Sequence, residues 1–290
     1  MIPYDHALIK TNGVNLHVVQ AGPKDGMLVI LLHGFPDFWY GWRKQIDCLA
    51  EQGYRVWAPD QRGYNISEKP NGIAAYNLNE LSADVIGLID DAGCETAILV
   101  GHDWGAGVAW WTACKYPERL SKMVILNAPH HDVFSKTLNS DLSQMRKSWY
   151  FAYLQIPVIP ETLMRLMSEP NARALQASAR PGAFSDEDLV EYQKAWAQPG
   201  APKSMINWYR AVVQQMPKPR PDPRVKVSTL ILWGKKDPYL NAEMAQASVE
   251  QCEDGQLVYF DDATHWIQRE ESDHVNRLMV EFFGAEVSDR

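Results

Sequence analysis

Three side chains in this sequence could together break and remake a bond: Asp103, Asp237 and His265. Asp103 sits at the centre of Gly101-His102-Asp103-Trp104-Gly105. The uncharged run Ala97-Ile98-Leu99-Val100 precedes it, and small and aromatic residues at helical spacing follow from Ala106 to Lys115. Strand, tight turn and helix in that order form a nucleophile elbow. Glycines at 101 and 105 fit such a turn, because its central residue is driven toward positive φ and only small neighbours let strand and helix approach. A carboxylate at the centre steers the chemistry. A serine ester needs an acyl substrate, whereas a carboxylate can displace a leaving group from an sp3 carbon and hold the product as an ester. Each residue also has an ordinary reading: a polar turn at 101–105, a turn aspartate before Pro238, a surface histidine at 265. What binds the three together is that each falls just past an apolar run.

Those runs define the elements that must position the chemistry. Val14 to Gln20 alternates as an edge strand should, and Met27 to Leu32 is a continuous apolar run ending at His33-Gly34-Phe35-Pro36-Asp37. A helix from Trp39 to Gln52 stops at Gly53, and the strand Arg55 to Pro59 leads into Asp60-Gln61-Arg62-Gly63-Tyr64. Asn77 caps a helix from Leu78 to about Ala92, stopped by Gly93. Leu120 to Leu126, Thr229 to Trp233 and Gln256 to Phe260 are further strands, with helices from Asn241 to Cys252 and to near Phe283. Alternating strands and helices predict a mostly parallel sheet with right-handed crossovers and helices on both faces, an α/β fold whose strand ends share one edge. Ligands bind outside the carboxyl ends of such strands. There an amide from the 33–37 loop can join the amide after the nucleophile in an oxyanion hole, the candidates being Phe35 and Trp104. The sequence leaves open whether Phe35-Pro36 is cis.

Between Pro129 and Pro223 the pattern changes to helices rich in Met, Trp, Tyr and Ala, punctuated by prolines and closed by the stiff run 217–223. This segment reads as an inserted helical lid. The expected division is a core of residues 1–128, a lid of 129–223 and a second core part of 224–290.

A formal charge of −8 argues against nucleic acid or an anionic membrane as partner. The four scattered cysteines lack metal-ligand spacing and suit free thiols in a reducing cytoplasm. No leader pattern and no membrane-spanning apolar segment is visible. His102 reads as a packing or backbone-bonding residue, adjacent His130 and His131 point opposite ways without a third ligand, and His274 falls on the exposed face of the last helix. Nothing sets the oligomeric state, and a homodimer stays open.

The chain resembles the soluble-type epoxide hydrolases of the α/β-hydrolase fold. The resemblance rests on His33-Gly34-Phe35-Pro36, the 101–105 elbow, Trp233-Gly234-Lys235-Lys236-Asp237 and His265-Trp266. Two motifs in the lid also match: Ser148-Trp149-Tyr150 with Gln155, and Asn207-Trp208-Tyr209-Arg210. Asp103, Asp237 and His265 then follow the triad order nucleophile, acid, histidine. One departure is Asn65, where Arg62-Gly63-Tyr64 is usually followed by Gly. The resemblance implies that Asp103 opens an epoxide to an alkyl ester while Tyr150 and Tyr209 hold the epoxide oxygen. His265, oriented by Asp237, activates the water that releases a vicinal diol. Epoxide and water are the implied reactants, with no cofactor and no metal. Helical geometry alone does not separate Tyr150 from Tyr153, three residues apart; the family spacing to Gln155 selects Tyr150. Haloalkane or haloacid dehalogenases share the Asp-His-Asp set. The haloalkane type holds halide with a tryptophan after the nucleophile, which Trp104 supplies, and a second Trp or Asn, where Phe35 stands, while a fluoroacetate-type enzyme has an arginine where Trp104 stands. A non-catalytic receptor on the same fold is the remaining alternative.

Overall fold

The computed structural model describes residues 3–218 and 221–284, so residues 219–220 of the 217–223 run lie outside it. Eight strands form one sheet: β1 (Asp5–Thr11), β2 (Val14–Ala21), β3 (Leu28–Leu32), β4 (Arg55–Pro59), β5 (Ala97–His102), β6 (Leu120–Leu126), β7 (Thr229–Gly234) and β8 (Gly255–Phe260). Their spatial order is β1-β2-β4-β3-β5-β6-β7-β8. The first two pairings are antiparallel and all others parallel. β2 is therefore not the edge strand its alternation predicts, because β1 covers it. The turn between them is Asn12-Gly13, both at positive φ (42° and 78°), the backbone that lets a two-residue hairpin follow the twist of its strands.

Central strands are apolar throughout because both faces are covered. Leu28, Ile30 and Leu32 of β3 and Ala97 and Leu99 of β5 pack on one side, while Val29, Leu31, Ile98 and Val100 face the other. The first side is closed by α2 (Leu78–Asp91) and α3 (Trp104–Lys115), and the second by α1 (Arg43–Glu51) and, near the chain's end, the helix Ser272–Phe283. Asn77 caps α2 by accepting from the amides of Asn79 and Glu80, and Gly93 ends it at φ +71°. The helix expected from Trp39 begins as a 3-10 turn, Trp39–Trp42, before α1.

Between β6 and β7 the described residues contain no named strand. They form α4 (His131–Ser140), α5 (Leu142–Lys147), α6 (Trp149–Leu154), α7 (Ile159–Leu166), α8 (Ser168–Ala177), α9 (Asp186–Trp196) and α10 (Ala201–Gln214). After β7 comes α11 (Glu243–Val249), shorter at both ends than the spacing suggests, then α12 (Ile267–Glu270) and α13 (Ser272–Phe283). His274 on α13 is half-buried rather than exposed, because its ring packs against Phe260 of β8 at 4.9 Å. No helix among the described residues is long and apolar enough to cross a membrane.

Candidate active site

Asp103 closes the turn from β5 into α3 at φ 51°, ψ −119°, a strained backbone held by its surroundings. Its N–H donates to Leu126 O at 3.3 Å and its carbonyl accepts from Gly107 N at 3.0 Å. The turn is also too crowded for side chains: a Cβ on Gly105 would lie 2.1 Å from Leu32 O, and one on Gly34 would lie 2.4 Å from Asp103 Oδ1. The loop after β3 thus lies directly against the carboxylate, and Phe35 N donates to Asp103 Oδ1 at 2.7 Å. Oδ2 faces the other way, 3.5 Å from His265 Nε2. Burial would raise this carboxyl, but the hydrogen bond and charge of His265, with the Phe35 amide, outweigh it and hold Asp103 below its usual value.

His265 follows β8 and Asp237 follows β7, so parallel pairing of these strands delivers both to the same edge. His265 Nδ1 lies 2.7 Å from Asp237 Oδ2. The imidazole is 2% exposed. Desolvation would make it a weaker base, yet Asp237 and Asp103 overrule that and raise its pKa to about 10. Asp237 is held from four directions. Oδ1 accepts the amides of Tyr239 (2.7 Å) and Leu240 (3.0 Å), while Oδ2 accepts from His265 and from Asn127 Nδ2 (2.7 Å).

Above this edge the helices between β6 and β7 enclose a cavity of about 620 Å³ whose wall includes Phe35, Asp103, Tyr150, Trp196, Tyr209 and His265. Tyr150 comes from α6 and Tyr209 from α10, with ring centroids 5.9 Å apart at 79°. Burial pushes both phenols well above 10, and the Asp103 charge raises them further, so both stay protonated. Tyr153 also lines the cavity, but its ring lies against Trp149, which is 66% exposed. Tyr150 instead meets Tyr209 and Tyr239.

Residues 28–272 match the family described as the alpha/beta hydrolase fold. The chain is 44% identical to the AB hydrolase superfamily protein YfhM of Bacillus subtilis, covering 94% of this chain and 96% of that one. It is 38% identical to Epoxide hydrolase 1 of Caenorhabditis elegans, over 96% of this chain and 70% of that one. Its fold superposes on a Bacillus megaterium epoxide hydrolase in complex with an inhibitor with a TM-score of 0.82, 30% identity, and coverage of 96% and 99%. The chain belongs to the epoxide hydrolases of the α/β-hydrolase fold.

Within this epoxide hydrolase the sequence reading missed Asn127. It ends β6 at φ 43°, fully buried, and its amide clasps β7: Gly234 N donates to Oδ1 at 2.9 Å while Nδ2 reaches Asp237 Oδ2 and, at 3.3 Å, Gly234 O. An asparagine right after an apolar strand was the available signal, since Asn tolerates positive φ. Phe35-Pro36 is cis, and Asn65 takes the positive φ (41°) that a glycine would otherwise supply. His102 Nε2 donates to His265 O (2.8 Å) and its Nδ1 accepts from Gln268 Nε2 (3.1 Å); burial first, then His265, lowers it to about 3, so it stays neutral. His130 Nδ1 caps α4 by accepting from Asp132 N at 3.3 Å.

Proposed function

We propose that the chain hydrolyses an epoxide to a vicinal diol in two steps, with residues 129–223 acting as the lid that brings the proton donors. In the first step Asp103 Oδ2, the oxygen not engaged by the Phe35 amide, attacks an epoxide carbon from behind. The carbon–oxygen bond of the ring breaks and an alkyl ester forms. The departing oxygen would be a strongly basic alkoxide at neutral pH, so it takes a proton from Tyr150 or Tyr209, which share it. Both phenols are protonated at neutral pH, so each has a proton to give. In the second step His265 Nε2 removes a proton from water, whose oxygen attacks Asp103 Cγ. The oxyanion grows on Oδ1, already against Phe35 N–H, and the Trp104 amide, first in α3, is the second donor. Collapse breaks the bond from Cγ to the alkyl oxygen, and the imidazolium returns its proton to the diol.

The two steps need opposite protonation states of His265. Next to an ionised Asp103 the imidazole is charged, with its pKa at about 10. Alkylation turns Asp103 into a neutral ester and removes two of the causes of that elevation, the hydrogen bond and the charge of Asp103. His265 then releases its proton, which restores the phenol that protonated the leaving oxygen, and becomes the base. The observation that carries this reading is two protonated phenols facing a carboxylate–imidazole pair across one cavity. Cys48, Cys94, Cys114 and Cys252 are all unpaired, which suits a reducing cytoplasm.

The test is a parallel assay with styrene oxide and 1-chlorohexane, read for diol and chloride, with His265→Gln examined by intact-protein mass spectrometry. Diol without chloride is expected, and the variant should carry an adduct of the full mass of styrene oxide on a peptide containing Asp103. Chloride release, or a folded variant that opens the ring without an adduct, rejects the reading.

A further inference from the structure

Helix α9 sends two side chains to the loop that carries the Phe35 amide. Trp196 Nε1 donates to Pro36 O at 2.6 Å, and the Tyr192 hydroxyl donates to Asp37 Oδ1 at 2.6 Å. Inside the loop Asp37 N donates to Gly34 O at 3.1 Å, closing a turn that contains Phe35 and Pro36. Asp37 has little freedom of its own. It is 1% exposed, its Oδ2 has no hydrogen-bond partner among the described residues, and a Cβ on Gly41 would lie 2.1 Å from that oxygen. Oδ1 is therefore its handle, taken by Tyr192 and by the Phe38 amide at 2.8 Å.

The helix that reaches the loop is itself moored to the sheet side. Asp188 of α9 lies between Arg43 Nη2 and Arg269 Nη2, each at 2.6 Å, and Arg269 Nη1 donates to the Tyr192 hydroxyl at 3.1 Å. The Arg269 guanidinium also stacks over Phe184, 4.1 Å from the ring centre. The mooring is thus built from charged and aromatic groups that do not touch the cavity's reacting atoms.

We propose that Trp196 and Tyr192 are positioning residues for the oxyanion amide: the inserted helices set the turn that aims Phe35 N–H at Asp103. This rests on the two-step reading above. The two steps respond differently to a displaced amide. Ring opening develops charge on the epoxide oxygen, at the phenols. Ester hydrolysis develops it on Asp103 Oδ1, where the Phe35 amide points, and such donors act most strongly on the oxygen that becomes charged. Loosening the turn therefore slows the second step more than the first.

Trp196→Phe keeps an aromatic ring in the cavity wall while removing the N–H and part of the indole, and Tyr192→Phe deletes only the hydroxyl. Single-turnover measurements with styrene oxide separate alkylation from ester hydrolysis, and intact mass reads the fraction of enzyme held as ester. Each variant is expected to hydrolyse the ester about tenfold more slowly, with alkylation changed by less than about twofold, so that ester dominates the steady state. Equal slowing of both steps, or no change in either, overturns the inference. If buried Tyr192→Phe does not fold, Trp196→Phe alone decides. Absence of any ester in wild type and in His265→Gln overturns the two-step reading itself, a result distinct from ester that forms normally and turns over at the wild-type rate in Trp196→Phe.

Discussion

The strand edge and the inserted helices contribute to one cavity under opposite physical regimes. At the edge, polar groups are saturated: Asp237 accepts four bonds, Asn127 makes three, and Asp103 is fixed by the elbow and the Phe35 amide. Among the helices, the groups proposed to react are phenols buried among apolar neighbours, Leu154 and Ile206 beside Tyr209, with Phe151 and Tyr150 packed against them. The segment between β6 and β7 also carries eleven of the fourteen large apolar side chains exposed among the described residues, nine of them from Leu142 to Met167. The difference has a chemical sense. A nucleophile and a base need charge held in fixed geometry, which hydrogen bonds supply. A neutral proton donor carries no charge that burial would penalise, so it can sit among apolar side chains.

The largest effect that would break this division of labour is at the edge. Asp103→Ala should remain folded and lose at least about a thousandfold in diol formation, as expected for loss of a covalent catalyst. Substantial residual turnover in a contamination-free preparation would mean that the nucleophile lies elsewhere. Removing both phenols in Tyr150→Phe/Tyr209→Phe should nearly abolish alkylation while a preformed ester at Asp103 hydrolyses at close to its normal rate. Either single change should cost roughly 1.5–3 kcal/mol of alkylation barrier, the scale of a bond to a charged oxygen. Rapid-quench alkylation rates measure this, with Tyr153→Phe as the control. An impaired Tyr153→Phe beside a normal Tyr150→Phe would move the donor by one helical turn.

A smaller effect is expected at Asn127. Asn127→Ala removes one of the four donors to Asp237 and leaves alanine at positive φ, so the loss should be about 1–3 kcal/mol of stability. Thermal melts read the stability. Ester lifetime should lengthen in the same variant, because the mispositioned acid serves His265 and not the phenols. The smallest change is electrostatic. His265 is raised from 6.5 to about 10 in the folded chain, so its contribution to stability is complete below about pH 6.5 and is lost as pH rises through about 10. Asp103→Ala removes two causes of that shift and should lower the midpoint, which nitrogen-15 NMR of the imidazole can follow. An unchanged midpoint would mean that Asp237 alone sets it and would remove the proposed exchange of protonation states.

Much of the sheet was legible because its signals are local. Arg55–Pro59 and Leu120–Leu126 are strands with the bounds their apolar runs suggest, and Asn77 and Gly93 mark the limits of α2. β1 was missed because only Ile9 and Thr11 in it are buried, although Asn12-Gly13 announces the hairpin. Groups whose meaning is non-local were illegible. Asn127 acquires its place only when β6 and β7 pair, and Trp196 only when α9 lies over the 33–38 loop. Tyr150 and Tyr153 share a helix face, and packing against Tyr209 and Tyr239 rather than Trp149 separates them.

The chain leaves β6 at Leu126 and returns to pair beside it in β7 at Thr229. The entropy of closing so long an excursion grows only logarithmically with its length, so the fold bears the insertion at little cost in stability. In time the cost is different, since contacts distant in sequence form late. Asp237 and His265, the proposed orienting carboxylate and base, lie on the far side of that excursion from Asp103, the proposed nucleophile. A newly made chain therefore carries Asp103 and its elbow well before it can carry a complete site, and recovery of turnover after dilution from denaturant reports the docking of β7 and β8, not the collapse of the first half of the sheet.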